Sequence, residues 1–86
     1  MEKLIETLLS VIDENNFMVE HEKKKVKEVS KTIKQLEKVN QNIENKVDVN
    51  PYFEEREQHL KQLAEHKQIQ RKLNRIFNIL YIDIED

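Results

Sequence analysis

His59, His66 and Glu55 form the group of residues in this 86-residue chain that comes nearest to a chemical site. The two histidines are seven residues apart and share one helix face, and Glu55 precedes His59 by one turn. A metal site in a helical bundle needs further ligands from a facing helix, often supplied by Glu-x-x-His pairs, and the chain contains no such pair. We therefore interpret both histidines as amphipathic residues beside a helix–helix seam, and we expect no metal.

Nucleophilic catalysis has little support in the sequence. Ser10 and Ser30 are the only serines, and neither has a base and an orienting group at a plausible spacing. Cysteine and glycine are absent, which excludes a thiolate nucleophile, a disulfide framework and a glycine-rich phosphate loop. The sequence predicts a protein that is not an enzyme and that carries no cofactor.

Basic residues fall into two stretches, 21–42 and 59–75, each with a net charge of +4. Such residues usually form a solvated outer face, but they could also contact phosphates or an acidic protein. Without interleaved aromatic residues or glycine loops, nucleic-acid binding would be mainly electrostatic and sensitive to salt. The candidate contacts are Lys24, Lys27, Lys31, Lys34, Lys38, Arg71, Lys72 and Arg75.

Apolar residues concentrate near the two ends of the chain, in excess of what one helical seam can bury. Three arrangements would cover them: an N-terminal segment folded back onto a local three-helix core, a second copy of the chain, or a foreign protein. An amphipathic membrane anchor is disfavoured, since Lys3 is the only basic residue before His21. The candidate interface residues are Leu4, Leu8, Leu9, Ile12, Phe17, Ile76, Phe77, Leu80 and Tyr81.

A heptad pattern indicates the elements that carry these residues. Aliphatic residues recur at alternating spacings of three and four from the first residue to Val47, as in a coiled coil, with polar interruptions at Asn15, Glu22 and Asn40. Asn50 and Pro51 suit the start of a second helix, and Leu60 to Leu80 carry its apolar stripe. Together with the absence of glycine, this predicts an all-α protein.

The predicted architecture is an antiparallel, coiled-coil-like helical hairpin in a single domain, with a short N-terminal helical segment. A turn-like run over residues 13–16 favours a kink or break there, and acidic residues at the C-terminus favour an extended tail. The predicted segments are a short helix or extension over 1–14, long helices over 17–47 and 52–80, a loop over 48–51 and an acidic tail over 81–86.

Folding the chain about residues 49–50 predicts which residues face each other. Asn40 would lie opposite His59 as a polar pair that fixes register, and Ile33 would lie opposite His66. The two basic stretches would lie side by side and give the middle of the hairpin a charge of +8.

A lone two-helix hairpin buries too little apolar surface to be securely stable, since ordering each residue costs about 1.5 kcal/mol. We therefore expect a helical bundle completed by dimerisation or by a partner. No run of residues approaches a membrane span or the apolar core of a signal peptide, which predicts a cytoplasmic protein. The favoured function is protein–protein interaction, as a small adaptor, regulator or inhibitor. The alternative is a nucleic-acid-binding helical dimer that uses the basic residues.

Overall fold

A computed structural model describes the backbone of residues 2–85 and the side chains of residues 2–82. Two helices, α1 (Glu2–Asn40) and α2 (Asn50–Glu85), pack against each other as an antiparallel hairpin. The molecule is a rod with extents of 69 × 15 × 15 Å. The predicted all-α hairpin is confirmed.

Helix α1 is continuous, so the predicted break over residues 13–16 is wrong and the residues before it are part of α1. Two of the polar residues that suggest a turn, Asn15 and Asn16, hydrogen-bond to the facing helix instead. The Asn15 side chain is buried and its Nδ2 donates to the His66 carbonyl oxygen at 2.9 Å. Gln70 Nε2 donates to Asn16 Oδ1 at 2.6 Å. These tertiary hydrogen bonds outweigh the weak local preference of Asn for turns.

The connection between the helices is longer than predicted, and α1 ends at Asn40 instead of residue 47. At the end of the helix, Asn42 Nδ2 donates to the Lys38 carbonyl oxygen at 3.3 Å. The Asn40 side chain makes two hydrogen bonds to the backbone of Val47, one to its N–H and one to its carbonyl oxygen, each 2.9 Å long. Asn40 therefore secures the loop over residues 41–49 and does not pair with His59.

Helix α2 begins where the Asn50-Pro51 pair predicts, but the capping oxygen comes from Asp48, whose Oδ1 accepts from the Asn50 N–H at 3.0 Å. The predicted extended tail is wrong, because the helix continues to Glu85. Near that end the rings of Phe77 and Tyr81, one helical turn apart, stack with centroids 6.1 Å apart. Asp86 lies outside the described residues.

The register of the two helices differs from the predicted one. His59 lies against Glu22, about five helical turns along α1 from Asn40. The predicted register would have placed Glu22 opposite Phe77, whereas the observed one pairs polar groups with polar groups. Helix α1 consequently extends beyond the level at which α2 begins. The loop runs back alongside the last turns of α1.

The core of the hairpin is small. Among the described residues, the buried apolar side chains are Val19, Val29 and Ile33, which alternate along α1 with the buried polar Asn15 and Glu22. The facing side of α2 is only half-buried, at positions such as Leu63 and Leu73. Each helix has a single neighbour, so most apolar side chains keep substantial contact with water.

Candidate interaction surface

A buried carboxylate and a half-buried histidine form a pair at the centre of the seam. His59 Nδ1 is 2.7 Å from Glu22 Oε2, and Glu22 is only 5% exposed. On its outer side, His59 Nε2 is 3.8 Å from Glu55 Oε1. The imidazole therefore bridges a carboxylate of the facing helix and one of its own, and this spacing orients the ring and partners the Glu22 carboxylate inside the seam.

A second polar layer lies seven residues away on both helices. Here Asn15 donates to the backbone of His66, while the His66 Nδ1 atom is buried and has no hydrogen-bond partner among the described residues. Between the two layers, the register sets the buried Val19 level with Leu63. The seam thus alternates polar and apolar layers at its centre.

The sequence contains a pattern that indicates these layers. The predicted register, with the chain folded about residues 49–50, does not match it. Asn15 and Glu22 are seven residues apart, as are His59 and His66, so one antiparallel register matches both pairs at once. Across the described residues, no three His, Asp or Glu side chains gather closely enough to hold a metal ion. The Asn15–His66 and Glu22–His59 pairs favour one register of the two helices.

Of the predicted interface residues, the structure places one group in the seam and another on the surface at the open end of the hairpin, opposite the loop. Leu8, Ile12, Phe77 and Leu80 are half-buried between the helices. The exposed ones are Leu4, Leu9, Phe17, Ile76 and Tyr81.

Further exposed apolar side chains belong to the same region; all but Ile69 are part of the apolar surplus near the two chain ends, although they were not among the candidate interface residues. We define the open-end surface as the exposed apolar residues of this half of the rod: Leu4, Leu9, Val11, Phe17, Met18, Ile69, Ile76, Ile79, Tyr81 and Ile82. Phe17 reaches 70% exposure, and its ring stacks on His21 of the next turn with centroids 6.3 Å apart. A helical-wheel count of residues outside the seam would have identified the additional members.

The basic residues remain exposed, but they do not form one patch. In the observed register, the lysine-rich half of α1 lies beside the start of α2, which carries Glu54, Glu55 and Glu57. The basic half of α2 lies beside residues 2–20 of α1, which hold five acidic side chains and one lysine. The predicted +8 region at the middle of the hairpin is therefore wrong, and opposite charges lie side by side instead.

Within the lysine-rich half, a shallow groove runs along the outer face of α1, lined by Lys27, Ser30, Lys31 and Lys34. Lys25 is 3.8 Å from Glu28 and Lys23 is 3.3 Å from Glu20, both within α1. Such exposed pairs contribute little to stability. The groove is a solvated helix face, and the two ion pairs near it involve lysines outside its lining.

Comparison with known proteins gives no relative for this chain: no family model, curated protein or solved structure matches it. Over residues 2–85, neither helix contains a segment long and apolar enough to cross a membrane. Functional inference therefore depends on the surface itself.

Proposed function

We propose that this chain is a non-enzymatic protein-binding module, a small adaptor, regulator or inhibitor that binds a protein partner through its open-end surface. The observation that carries the proposal is the concentration of exposed apolar side chains in one half of the rod. Leu4, Phe17, Ile79 and Tyr81 are each more than half exposed, and they lie in the same half of the rod. Apolar groups clustered in this way are typical of interaction sites.

The total surface supports the same conclusion. The chain exposes 7150 Å², whereas a compact monomer of its 10.4 kDa mass exposes about 5,400 Å². The excess of roughly 1,750 Å² is larger than the ~800 Å² that each partner buries in a standard protein interface. A partner that covers the open-end surface would supply the burial that the two helices lack.

A protein is favoured over a nucleic acid as the partner because the exposed cations are interrupted by acidic residues. Lys24, Lys27, Lys31, Lys34 and Lys38 lie on the half of α1 that adjoins the acidic start of α2. Arg71, Lys72 and Arg75 adjoin the acidic half of α1. A phosphate backbone that followed the rod would meet both signs of charge.

Affinity capture from a lysate of the source cell tests the proposal with variants matched for size and exposure. Leu4→Asp lies on the open-end surface, where the leucine is 53% exposed, and we expect it to abolish capture. Leu60→Asp, nearer the loop with the leucine 45% exposed, is the control and retains capture. Both changes replace exposed side chains, so circular dichroism should report unchanged helicity. Equal capture by both variants would contradict the proposal.

A further inference from the structure

We infer that the partner of the open-end surface is a second copy of this chain, packed so that α1 of each copy lies against α2 of the other. This inference rests on the proposed function, because it names the occupant of the same surface. It starts from a subset of that surface, the apolar stripe, defined as Leu4, Val11 and Met18 of α1 with Ile69 and Ile76 of α2.

The apolar stripe lies along one side of the seam. Its α1 members are seven residues apart and each directly precedes a seam residue, and the same is true of Ile69 and Ile76 in α2. In an antiparallel pair, equivalent flanking positions of both helices lie on the same side. The register set by Asn15 and His66 places Ile76 beside Leu4 and Ile69 beside Val11. The result is a continuous apolar band from the open end to Met18.

The opposite side of the seam differs in character. At the same distance from the open end its flanking positions are occupied by Leu9, Asn16, Lys67, Asn74 and Tyr81, so polar residues interrupt the apolar ones. Only one side is therefore suited to pack against another helical surface over its length. The apolar stripe on one side of the two-helix layer can pack against the same stripe of a second copy. The two layers together would form a four-helix bundle.

A second copy fits the deficit in burial better than an occasional foreign partner does. Among the described residues three apolar side chains are buried, and each helix has only one neighbour. The small amount of buried apolar surface is a property of the two-helix fold itself. A surface that covers the apolar stripe must therefore be available whenever the chain folds. A second copy meets that condition at the concentration at which the protein is made.

Charge selects how the two copies are oriented. Residues 2–20 of α1 hold five acidic side chains and one lysine, whereas residues 59–75 of α2 have a net charge of +4. The register places these two stretches at the same height along the rod. With α1 packed on α2 of the other copy, the acidic stretch of each copy lies against the basic stretch of the other, whereas with α1 packed on α1 the two acidic stretches would lie against each other. The attractive arrangement has a two-fold axis parallel to the rod, with both loops at the same end.

Mass measurement tests the inference directly. Sedimentation equilibrium of the full chain should give twice the 10.4 kDa of one copy, and Val11→Asp should reduce this to one copy with a lower thermal midpoint. Leu60→Asp, outside the stripe, should leave the dimer intact. A dimer that survives Val11→Asp unchanged would overturn the assignment of the surface.

A distance measurement tests the orientation without loss of apolar surface. The chain has no cysteine, so Asn45→Cys in the loop can carry a single spin label. Because packed helices lie ~10 Å apart, the two labels should be within about 30 Å of each other. Labels separated by the length of the rod would overturn the orientation.

The tests separate this inference from the proposed function. A chain that remains a single copy at every concentration refutes self-association. If Leu4→Asp still abolishes capture of a foreign protein in that case, the open-end surface keeps its proposed role with a different occupant. If capture is equal for both variants while Val11→Asp dissociates a dimer, self-association stands and the binding of a foreign protein is refuted.

Discussion

At the scale of single residues, the two histidines illustrate how one residue type has opposite effects in neighbouring layers. His59 partners a carboxylate that is 5% exposed, and it keeps a second carboxylate, Glu55, on its outer side. His66 has a buried Nδ1 atom without a partner among the described residues, and its layer uses only its backbone carbonyl. The first side chain compensates a buried charge, whereas the second brings an uncompensated polar atom into the seam.

Replacing His59 should therefore destabilise the hairpin. We expect His59→Leu to reduce the free energy of unfolding by about 3 kcal/mol, because the Glu22 carboxylate is left buried without a partner. Glu22→Leu should cost only about 1 kcal/mol, since the half-buried His59 retains water and Glu55. Urea denaturation at fixed protein concentration measures both. The double variant should recover most of the loss, and additive losses would contradict this interpretation.

A substitution of His66, seven residues after His59, should change the free energy of unfolding in the opposite direction. His66→Leu removes the unpartnered Nδ1 atom and leaves the carbonyl oxygen that accepts from Asn15, so the free energy of unfolding should rise by about 1 kcal/mol. His59→Leu is the matched control, with the same substitution seven residues earlier. Thermal unfolding followed by circular dichroism distinguishes the two, and a lower midpoint for His66→Leu would show that its ring has a structural role.

At the scale of elements, the heptad pattern predicted two antiparallel helices but not where they end. The pattern continues through Ile43 and Val47, yet the helix ends at Asn40 because its side chain binds the backbone of Val47. That contact joins residues brought together by the loop, so local periodicity carries no information about it. The prediction of a break at residues 13–16 failed for a related reason, since the hydrogen-bond partners of Asn15 and Asn16 lie on the other helix.

The candidate interaction surface was predictable in part. Leu4, Phe17 and Tyr81 lie outside the heptad seam and are exposed, as the surplus of apolar residues implied. Leu8 and Phe77 occupy the seam itself, and the sequence alone does not divide an apolar cluster between a seam and an exposed face until the register is known. The register in turn depended on recognising the equal spacing of the two polar pairs.

The Asn40 contact makes the loop testable. Asn40→Ala removes both hydrogen bonds to Val47 and should reduce the free energy of unfolding by about 1–2 kcal/mol. Asn42→Ala is a close control, because Asn42 makes a single bond of 3.3 Å to the Lys38 carbonyl one turn before it, and its loss should cost less than about 0.5 kcal/mol. Chemical denaturation of the two variants compares them, and equal losses would refute a special role for Asn40.

At the scale of the whole molecule, charge alternates along and across the rod. The acidic half of α1 adjoins the basic half of α2, and the lysine-rich half of α1 adjoins the acidic start of α2. The two helices therefore attract each other in the observed register, and the net charge of −2 is spread without one dominant patch.

This distribution predicts weak binding to polyanions. We expect the chain to elute from heparin below about 0.15 M salt, because a binding surface of several uninterrupted cations is needed to resist that ionic strength. Lys31→Glu with Lys34→Glu, which alters the outer groove of α1, should change the partner capture described above very little. Retention at higher salt that is lost in this variant would instead support the nucleic-acid alternative.

The loop that returns beside the end of α1 has a mechanical consequence. Nine residues, 41–49, span a turn that helical hairpins often make with fewer, so the length of the loop alone does not impose this register on the helices. Lengthwise alignment is enforced at mid-rod, where a slip of one heptad would still match Glu22 to His66 but would leave Asn15 and His59 facing aliphatic side chains. Apolar substitutions of Asn15, Glu22, His59 and His66 would allow one helix to slide along the other by about 10 Å, the length of one heptad, without any change in the loop.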